Sequence, residues 1–554
     1  MKKIVILFLA TFLTAAATSA QECVDIVYDG ENASITVPPT VTGIIYNVKG
    51  ANVSITSTTQ VNEYTYRLSG SSADGSLTID GNYKLTLLLA GLNLTNAHGG
   101  AAIDIECGKR IAVVLQQGTE NTLCDSPTGT QKSALYFKGH AEFEGAGTLN
   151  VTGLLKHAIC SKEYLEVKSS TGTINVLGAV SDGIHCGKGK VANEHNYFEM
   201  NGGTLNIANI GSDGIDADDY GVVRIKGGAL SVTVPDGGSG IKADSMLTVA
   251  GGNINIHVAG DDADGLRSNY AINITGGTTD IFVEGDGSKG IKSKDDTDAT
   301  ATVRDGGNIT ISGGTTRVEH MGDTYTDATT GETSNCVGIA ADKTLVQTDG
   351  EVEILAMGTD CIAIRAYGSE SLEGGTLKVT RIPWKVKTRD YQYDMTVYGA
   401  VKLDGTLLND YSEAAVGAFD GETCIGFADF EPGDYGIIRV LSNETSGGEI
   451  TFKYYDWKTA TETSLTADSE ISFTSSAVYG TPSDPVILSG ESKPTFLPGD
   501  VNNDGYVNVT DVMMVVSHVL GKTPNVFYKE AADVNHDNGV NVTDVMLIVD
   551  IVMR

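Results

Sequence analysis

The sequence predicts a mainly β chain: a right-handed parallel β-helix over residues 21–383, an antiparallel β-sandwich over 384–490 and, after a linker at 491–498, a small α-helical module with EF-hand-like loops over 499–554. Three observations predict it. A Gly-Gly pair followed by alternating residues recurs at a near-constant interval. The recurrence stops after Pro383, where aromatic residues and hairpin-like alternation take over. Two oxygen-rich loops of matching pattern stand near the C-terminus.

Residues 1–20 precede the fold. Lys2 and Lys3 form a basic start, Ile4 to Leu13 is an apolar run too short to span a bilayer, and Thr18-Ser19-Ala20 supplies the small residues of a cleavage site before Gln21. No later run reaches membrane-spanning length, so the expectation is export to the medium or cell surface without a membrane span. The 71 acidic residues outnumber 38 basic ones, and the net charge of −33 argues against a nucleic-acid partner because it repels phosphate backbones. The chain has 67 glycines but only 11 prolines and no G-x-y period, which excludes collagen and Pro-rich linker sequences. The eight cysteines are too sparse for a disulfide scaffold and form no CxxC metal pair, so they read as small buried residues, with one or two bridges permitted by export.

The period defines the first part. The second glycine of each pair falls at 203, 228, 252, 277, 314, 350 and 375, steps of 24 or 25 residues with two longer ones that mark insertions. A second anchor runs in phase at Ile184, Ile215, Ile241, Leu266, Ile291 and Ile339, with weaker copies at Ile103, Leu135, Ile159 and Ile362. Each unit holds three short alternating segments, too short and too interrupted by glycine for helices. Three strands per constant period fit parallel coils stacked about 4.8 Å apart. Glycine is expected to turn the corners between sheets, where positive φ is needed.

Stacking lets columns be read from the anchors. Two residues past the anchor come Cys186, Ala217, Ala243, Ser268, Ser293 and Ala341, small residues suited to a narrow interior. One past it come His185, Asp216, Lys242, Arg267 and Lys292, and three past it Asp218, Asp244, Asn269, Lys294 and Asp342; both columns are expected to face outward as a charged ladder.

Two chemistries suit that ladder. Asp182, Asp213, Asp216, Asp218 and Asp219, then Asp261, Asp262 and Asp264, crowd the turns; stacked carboxylates repel, and Ca²⁺, which takes six to eight oxygens, would relieve them. The alternative is a solvated acidic turn paired with Lys242. Lys242, Arg267 and Lys292 with Lys294 form a basic stack in which Asp244 can neutralise Lys242, but Arg267 and Lys292 face only Asn269 and Lys294. An acidic polysaccharide would supply the missing anion, with His185 beside it; a solvated basic patch is the alternative. Calcium with a basic residue would also suit a lyase using Lys242, Arg267 or Lys292 in β-elimination. No nucleophile elbow, paired catalytic carboxylates, zinc motif or phosphate loop accompanies them.

Residues 25–380 resemble the calcium-binding parallel β-helix carbohydrate-binding domain of exported bacterial proteins, through Leu77-Thr-Ile-Asp-Gly-Asn-Tyr-Lys-Leu-Thr-Leu, Leu92-Asn-Leu-Thr-Asn, Gly108-Lys109-Arg110-Ile111, Gln131-Lys132-Ser-Ala-Leu, Lys156-His157-Ala-Ile-Cys-Ser-Lys and Ser181-Asp182-Gly183-Ile184-His185. The resemblance implies a pectate-lyase-like fold that binds cellulose- or pectin-like glycans rather than cleaving them. The insertion around 316–336 departs from the plain repeat.

In the second part Trp384, Tyr391, Tyr393, Tyr398, Tyr454, Tyr455 and Trp457 accompany turn signals at Asp404-Gly405 and Asp420-Gly421, the pattern of an antiparallel sandwich. In the third, Asp500, Asn502, Asp504, Asn508 and Asp511 hold loop positions 1, 3, 5, 9 and 12, with Gly505 at 6 and the Tyr506 carbonyl at 7, an EF-hand-type calcium set. Asp533, Asn535, Asp537, Gly539, Asn541 and Asp544 repeat it, with Asn538 at position 6 as a tolerant left-handed residue. Apolar runs Val512–Leu520 and Val545–Met553 supply a helix after each loop. Such duplicated loop–helix units resemble a type I dockerin, which implies a cohesin-bearing partner facing Val509, Thr510, Val542 and Thr543. The whole reads as a secreted, calcium-binding, non-catalytic polysaccharide-binding protein, with a calcium-dependent pectate lyase as first alternative and a cell-surface adhesin or scaffold component as second.

Overall fold

The computed structural model describes residues 23–187, 196–218, 220–295, 306–358, 360–411, 414–429, 435–457, 459–491, 497–535 and 537–553. The expected leader at 1–20, Asp219 and most of the expected linker lie outside them. Two compact units divide at Lys385/Val386.

The first unit is built almost wholly from two parallel sheets, one of 20 strands and one of 13. Their ladders advance one repeat at a time. In the 13-stranded sheet Ile103, Leu135, Ile159, Ile184, Ile215, Ile241, Leu266, Ile291 and Ile339 stand in one column of strand neighbours. Its next member is Ile364 rather than the expected Ile362, which pairs with Val337. Across the core the larger sheet supplies Ile207, Val232, Ile256, Ile281, Val318 and Ile354 in register. All of these side chains are buried apart from Ile364, so each repeat contributes its own slice of one continuous apolar core. The small column from Cys186 to Ala341 is buried as well.

The Gly-Gly pairs at 202–203, 227–228 and 374–375 separate strands as expected, but those at 251–252, 276–277 and 313–314, and Gly350, do not. Strands Met246–Val258, Ala271–Val283, Asn308–His320 and Thr344–Met357 run straight through them, with a register irregularity at each pair. Close stacking explains the residue choice: Gly277 has φ +83°, and a Cβ there would lie 2.7 Å from the Gly251 carbonyl carbon one repeat before. Glycine thus bends the strand without interrupting its ladder. Two antiparallel hairpins, Cys23–Asp29 with Asn32–Thr36 and Ile44–Lys49 with Asn52–Ser57, precede the parallel repeats. The insertion after His320 carries a short hairpin, Tyr325–Thr326 with Thr333–Ser334.

In the second unit the expected two-sheet sandwich is replaced by a ring. From Tyr393–Leu403, hydrogen bonding passes to Gly436–Ser442, Thr423–Asp429, Ala414–Asp420, Thr451–Asp456, Thr461–Ala467 and Val486–Gly490, and returns to the first strand. Every junction is antiparallel except the last, which is parallel. Alternation predicts strands but not which edges meet, and closure removes exposed edges. Met395, Val397, Val416, Ile438, Val440, Phe452 and Leu488 fill the interior.

Residues 497–553 form three helices: α1 (Val509–Val519), α2 (Lys529–Ala532) and α3 (Val542–Met553). α1 and α3 each start three residues before the apolar runs, so the last loop ligands sit in their first turns. Val501, Val515, Ala531, Ala532 and Ile548 make the core between them.

Candidate functional site

The charged ladder lies on the 13-stranded sheet. His185, Asp216, Lys242, Arg267 and Lys292 are direct strand neighbours in that order. A second column, two residues before the anchor, stands beside them: His157, Asp182, Asp213, Ser239, Asp264 and Lys289. The intervening glycine brings both columns to one face. A Cβ on Gly183 would meet Ile207 Cγ2 at 2.7 Å, and one on Gly265 would meet Ile281 Cγ2 at 2.8 Å, so this residue points into the core next to the inward anchor. Two inward residues in succession reset the alternation and put the residues on either side of them outward.

The two columns interlock as ion pairs. Asp182 lies 2.9 Å from His157 Nδ1 and 3.3 Å from His185 Nδ1, and Asp216 lies 3.2 Å from His185. The rings of His157 and His185 stack with centroids 4.5 Å apart. Lys242 Nζ stands 3.0 Å from Asp216 and 3.3 Å from Asp213. Asp264 lies 3.6 Å from Arg267 and 3.3 Å from Lys292.

Burial makes these charges matter. It opposes charge on His185, yet the bonds to Asp182 and Asp216 raise its imidazole to about 9. Burial likewise opposes an ionised Asp182, but His157 and His185 hold it well below the usual carboxylate range. Burial pushes Asp213 up to about 6 against the pull of Lys242. Lys242 is held above its ordinary value, burial being outweighed by Asp216 and Asp213. Lys294 is lowered by burial and then by Arg267 and Lys292.

Several sequence expectations change. Asp244 does not neutralise Lys242; it accepts from the Tyr220 N–H and Asn269 Nδ2, while Asp213 and Asp216 take the lysine. Arg267 and Lys292 do have an acidic neighbour, Asp264, which stands in the column two residues before the anchor. The same anchor spacing contains it, and with it His157. Asp264 does not join Asp261 and Asp262 in an acidic turn. Asp261 instead continues a ladder in which each aspartate accepts the next one's backbone N–H: Asp236 from Asp261 at 2.9 Å, Asp261 from Asp286 at 2.8 Å and Asp286 from Asp323 at 2.6 Å. Asp262 has φ +46° and lies 3.7 Å from Lys289. Asp218 approaches His185 and Asp216 as one group of possible ligands.

Asp182, Asp213 and Asp216 do converge, with a carboxylate oxygen of each within 4.8 Å of the others. A calcium ion there would compete with cations that the protein itself provides. Lys242 and His185 already supply positive charge to the oxygens that would have to coordinate it.

The two C-terminal loops differ from the ladder. Asp500 accepts the N–H groups of Asp504 at 3.1 Å and Gly505 at 2.8 Å, and Asp511 accepts those of Val501 and Asn508, both at 2.9 Å. In the second loop Asp533 accepts from Asp537, and Asp544 from Val534 and Asn541. Asn502 and Asn535 each accept from the aspartate two residues on. Gly505 has φ +87° and Asn538 +64°, the left-handed turn required at position 6. The donor set is oxygen throughout, contains no lysine or arginine, and fits a hard divalent cation. Val509 is 65% and Val542 62% exposed, with Thr510 and Thr543 exposed beside them.

A second stack escaped the sequence reading. His140, Tyr164 and Tyr197 stack on the larger sheet with centroids 4.3 and 4.6 Å apart, and Arg224 covers the last ring at 5.1 Å. Both ring faces of Tyr164 are thereby covered, which makes this stack a ladder contact rather than a sugar platform.

Comparison with known proteins adds the following. Residues 49–263 match the model of a carbohydrate-binding domain-containing protein, and residues 498–552 match the dockerin type I domain. No curated protein matches the chain. A polysaccharide lyase-like protein from C. thermocellum, solved as a gadolinium derivative, is 17% identical, covering 64% of this chain and 96% of its own, with a TM-score of 0.26. No helix among the described residues is long and apolar enough to cross a membrane.

Proposed function

We propose that this chain is an exported, non-catalytic polysaccharide-binding protein whose repeats wind as a right-handed parallel β-helix. Its C-terminal module is a calcium-folded dockerin that plugs into a cohesin-bearing protein. The observation that carries the binding reading is the base-rich end of the ladder, where Arg267, Lys292 and Lys294 gather around Asp264 on a stretch adjoining the carbohydrate-binding match. A uronate-bearing or otherwise acidic glycan offers carboxylates at regular spacing to meet cations at regular spacing. His185 and Lys242 continue the same face, but their charges are committed to Asp182, Asp213 and Asp216.

The lyase alternative needs a basic group that gives up its proton. Lys242 is clamped as an ammonium by two carboxylates, and Arg267 and Lys292 share a third. In the C-terminal module Asp500, Asn502, Asp504, Asn508 and Asp511, with the Tyr506 carbonyl, would hold one Ca²⁺. Asp533, Asn535, Asp537, Asn541 and Asp544, with the Gly539 carbonyl, would hold a second. Exposed pairs at matching places on α1 and α3, Val509 with Val542 and Met513 with Met546, suit an apolar partner surface. A glycan panel run with the full chain in Ca²⁺ and in EDTA tests the reading: retention of acidic glycans in both supports it, and release of unsaturated uronides contradicts it.

A further inference from the structure

One cluster lies outside everything assigned above. His320, Cys336 and Cys361 are each 3% exposed or less, and a nitrogen or sulfur of each lies within 4.8 Å of the other two. His320 Nδ1 is 3.6 Å from Cys336 Sγ. Cys361 Sγ faces the carbonyl oxygens of Met357 at 2.9 Å, Gly322 at 3.2 Å and His320 at 3.5 Å.

Their places in the chain suggest a task. His320 ends a long strand of the larger sheet and Cys336 precedes Val337–Ala341 of the smaller one, so the two flank the hairpin insertion that breaks the repeat. Cys361 comes from the following repeat, in register with Cys336, since Ile362 N–H donates to the Cys336 carbonyl at 3.1 Å. A bond among the three would tie the ends of the insertion to each other and to the next coil.

We propose that His320, Cys336 and Cys361 form a binding site for a soft or borderline-soft transition metal, with Zn²⁺ as the natural probe. Two sulfurs and an imidazole are the donors such ions prefer, and hard Ca²⁺ does not. A disulfide is the competing use of the two sulfurs. In-register parallel neighbours stand about 4.7–4.9 Å apart, inside the roughly 4.4–6.8 Å Cα range of a disulfide, so ladder spacing admits either use and the test below separates them. Because all three groups are buried, the ion is taken up as the last coils close.

The test uses the reduced full chain in excess Ca²⁺, which fills carboxylate sites. Metal-free protein is titrated with Co²⁺, followed by Zn²⁺ competition. The proposal predicts a thiolate-to-cobalt charge-transfer band saturating at one equivalent, displaced by Zn²⁺, reduced in Cys336→Ser and Cys361→Ser, and a melting temperature raised by Zn²⁺ in the wild type alone. Should a variant fail to fold, thiol protection against alkylation by Zn²⁺ in the wild-type chain reads the same site. Absence of the band and of protection overturns the proposal, as does an intact mass showing Cys336 and Cys361 already joined in the protein as isolated.

Discussion

The ladder and the C-terminal loops are both rich in aspartate, yet their carboxylates do opposite work. In the ladder Asp182, Asp213 and Asp216 meet cations of the protein's own, Lys242 and His185, from the same coil or an adjacent one. In the loops Asp500, Asp511 and Asp544 accept backbone N–H groups, and their loop sequences hold no lysine or arginine. The first arrangement is internally neutralised; the second leaves its oxygens for the Ca²⁺ proposed above. An acidic cluster is therefore read by what already faces it and not by its acid count.

The largest effect that follows is on the loops. Removal of Ca²⁺ by EDTA is expected to unfold residues 499–554 while leaving both β units folded, since two sites, each with ligand at 100 times its Kd, together stabilise by about 5 kcal/mol and a small module has little else. Calorimetry should show one calcium-sensitive transition, absent in Asp500→Ala with Asp533→Ala; an EDTA-sensitive transition of the first unit would break the comparison.

Next is the ladder's own cation. Lys242→Ala leaves Asp213 and Asp216 buried without it and is expected to cost about 3 kcal/mol, the low end for breaking a buried pair because the lysine is partly exposed. Denaturant midpoints measure this, and added Ca²⁺ is expected not to restore the loss. Restoration would mean that the acidic group is a calcium site after all.

The third effect is on binding. Arg267→Ala, Lys292→Ala and Lys294→Ala should each weaken retention on polygalacturonate about tenfold, the scale of one charge-assisted hydrogen bond, with the melting temperature as control.

The smallest is a pH effect. His185 gains carboxylate partners on folding, so its folded value of about 9 exceeds the ordinary 6.5. Its contribution is complete below pH 6.5 and is lost as pH rises through 9. Urea midpoints across that window should fall in the wild type more than in His185→Gln; parallel curves would remove His185 from the network.

Much of this was legible in the sequence, for a physical reason. A fixed period places residues in columns, so the order His185, Asp216, Lys242, Arg267, Lys292 followed from spacing alone. The loops were legible because metal ligation fixes residue type at each position. Asp213 and Asp216, the partners of Lys242, belong to the acidic group that the sequence offers it as an alternative to calcium, whereas Asp264, the partner of Arg267 and Lys292, was missed because strict alternation assigns the residue two before the anchor to the interior. The glycine between them resets the alternation and turns Asp182, Asp213 and Asp264 toward His185, Lys242 and Arg267. The closed ring of the second unit was out of reach, since the last pairing, Gly399–Leu403 with Val486–Gly490, joins strands far apart in sequence.

The most direct test of the account is retention of the full chain on immobilised polygalacturonate, compared between wild type and the Arg267→Ala/Lys292→Ala double variant, each in Ca²⁺ and in EDTA. The account predicts that the wild type is held equally in both conditions, that the double variant is lost from both, and that no unsaturated uronide is released. Wild-type binding that vanishes in EDTA, or uronide release that depends on Arg267 and Lys292, would contradict it.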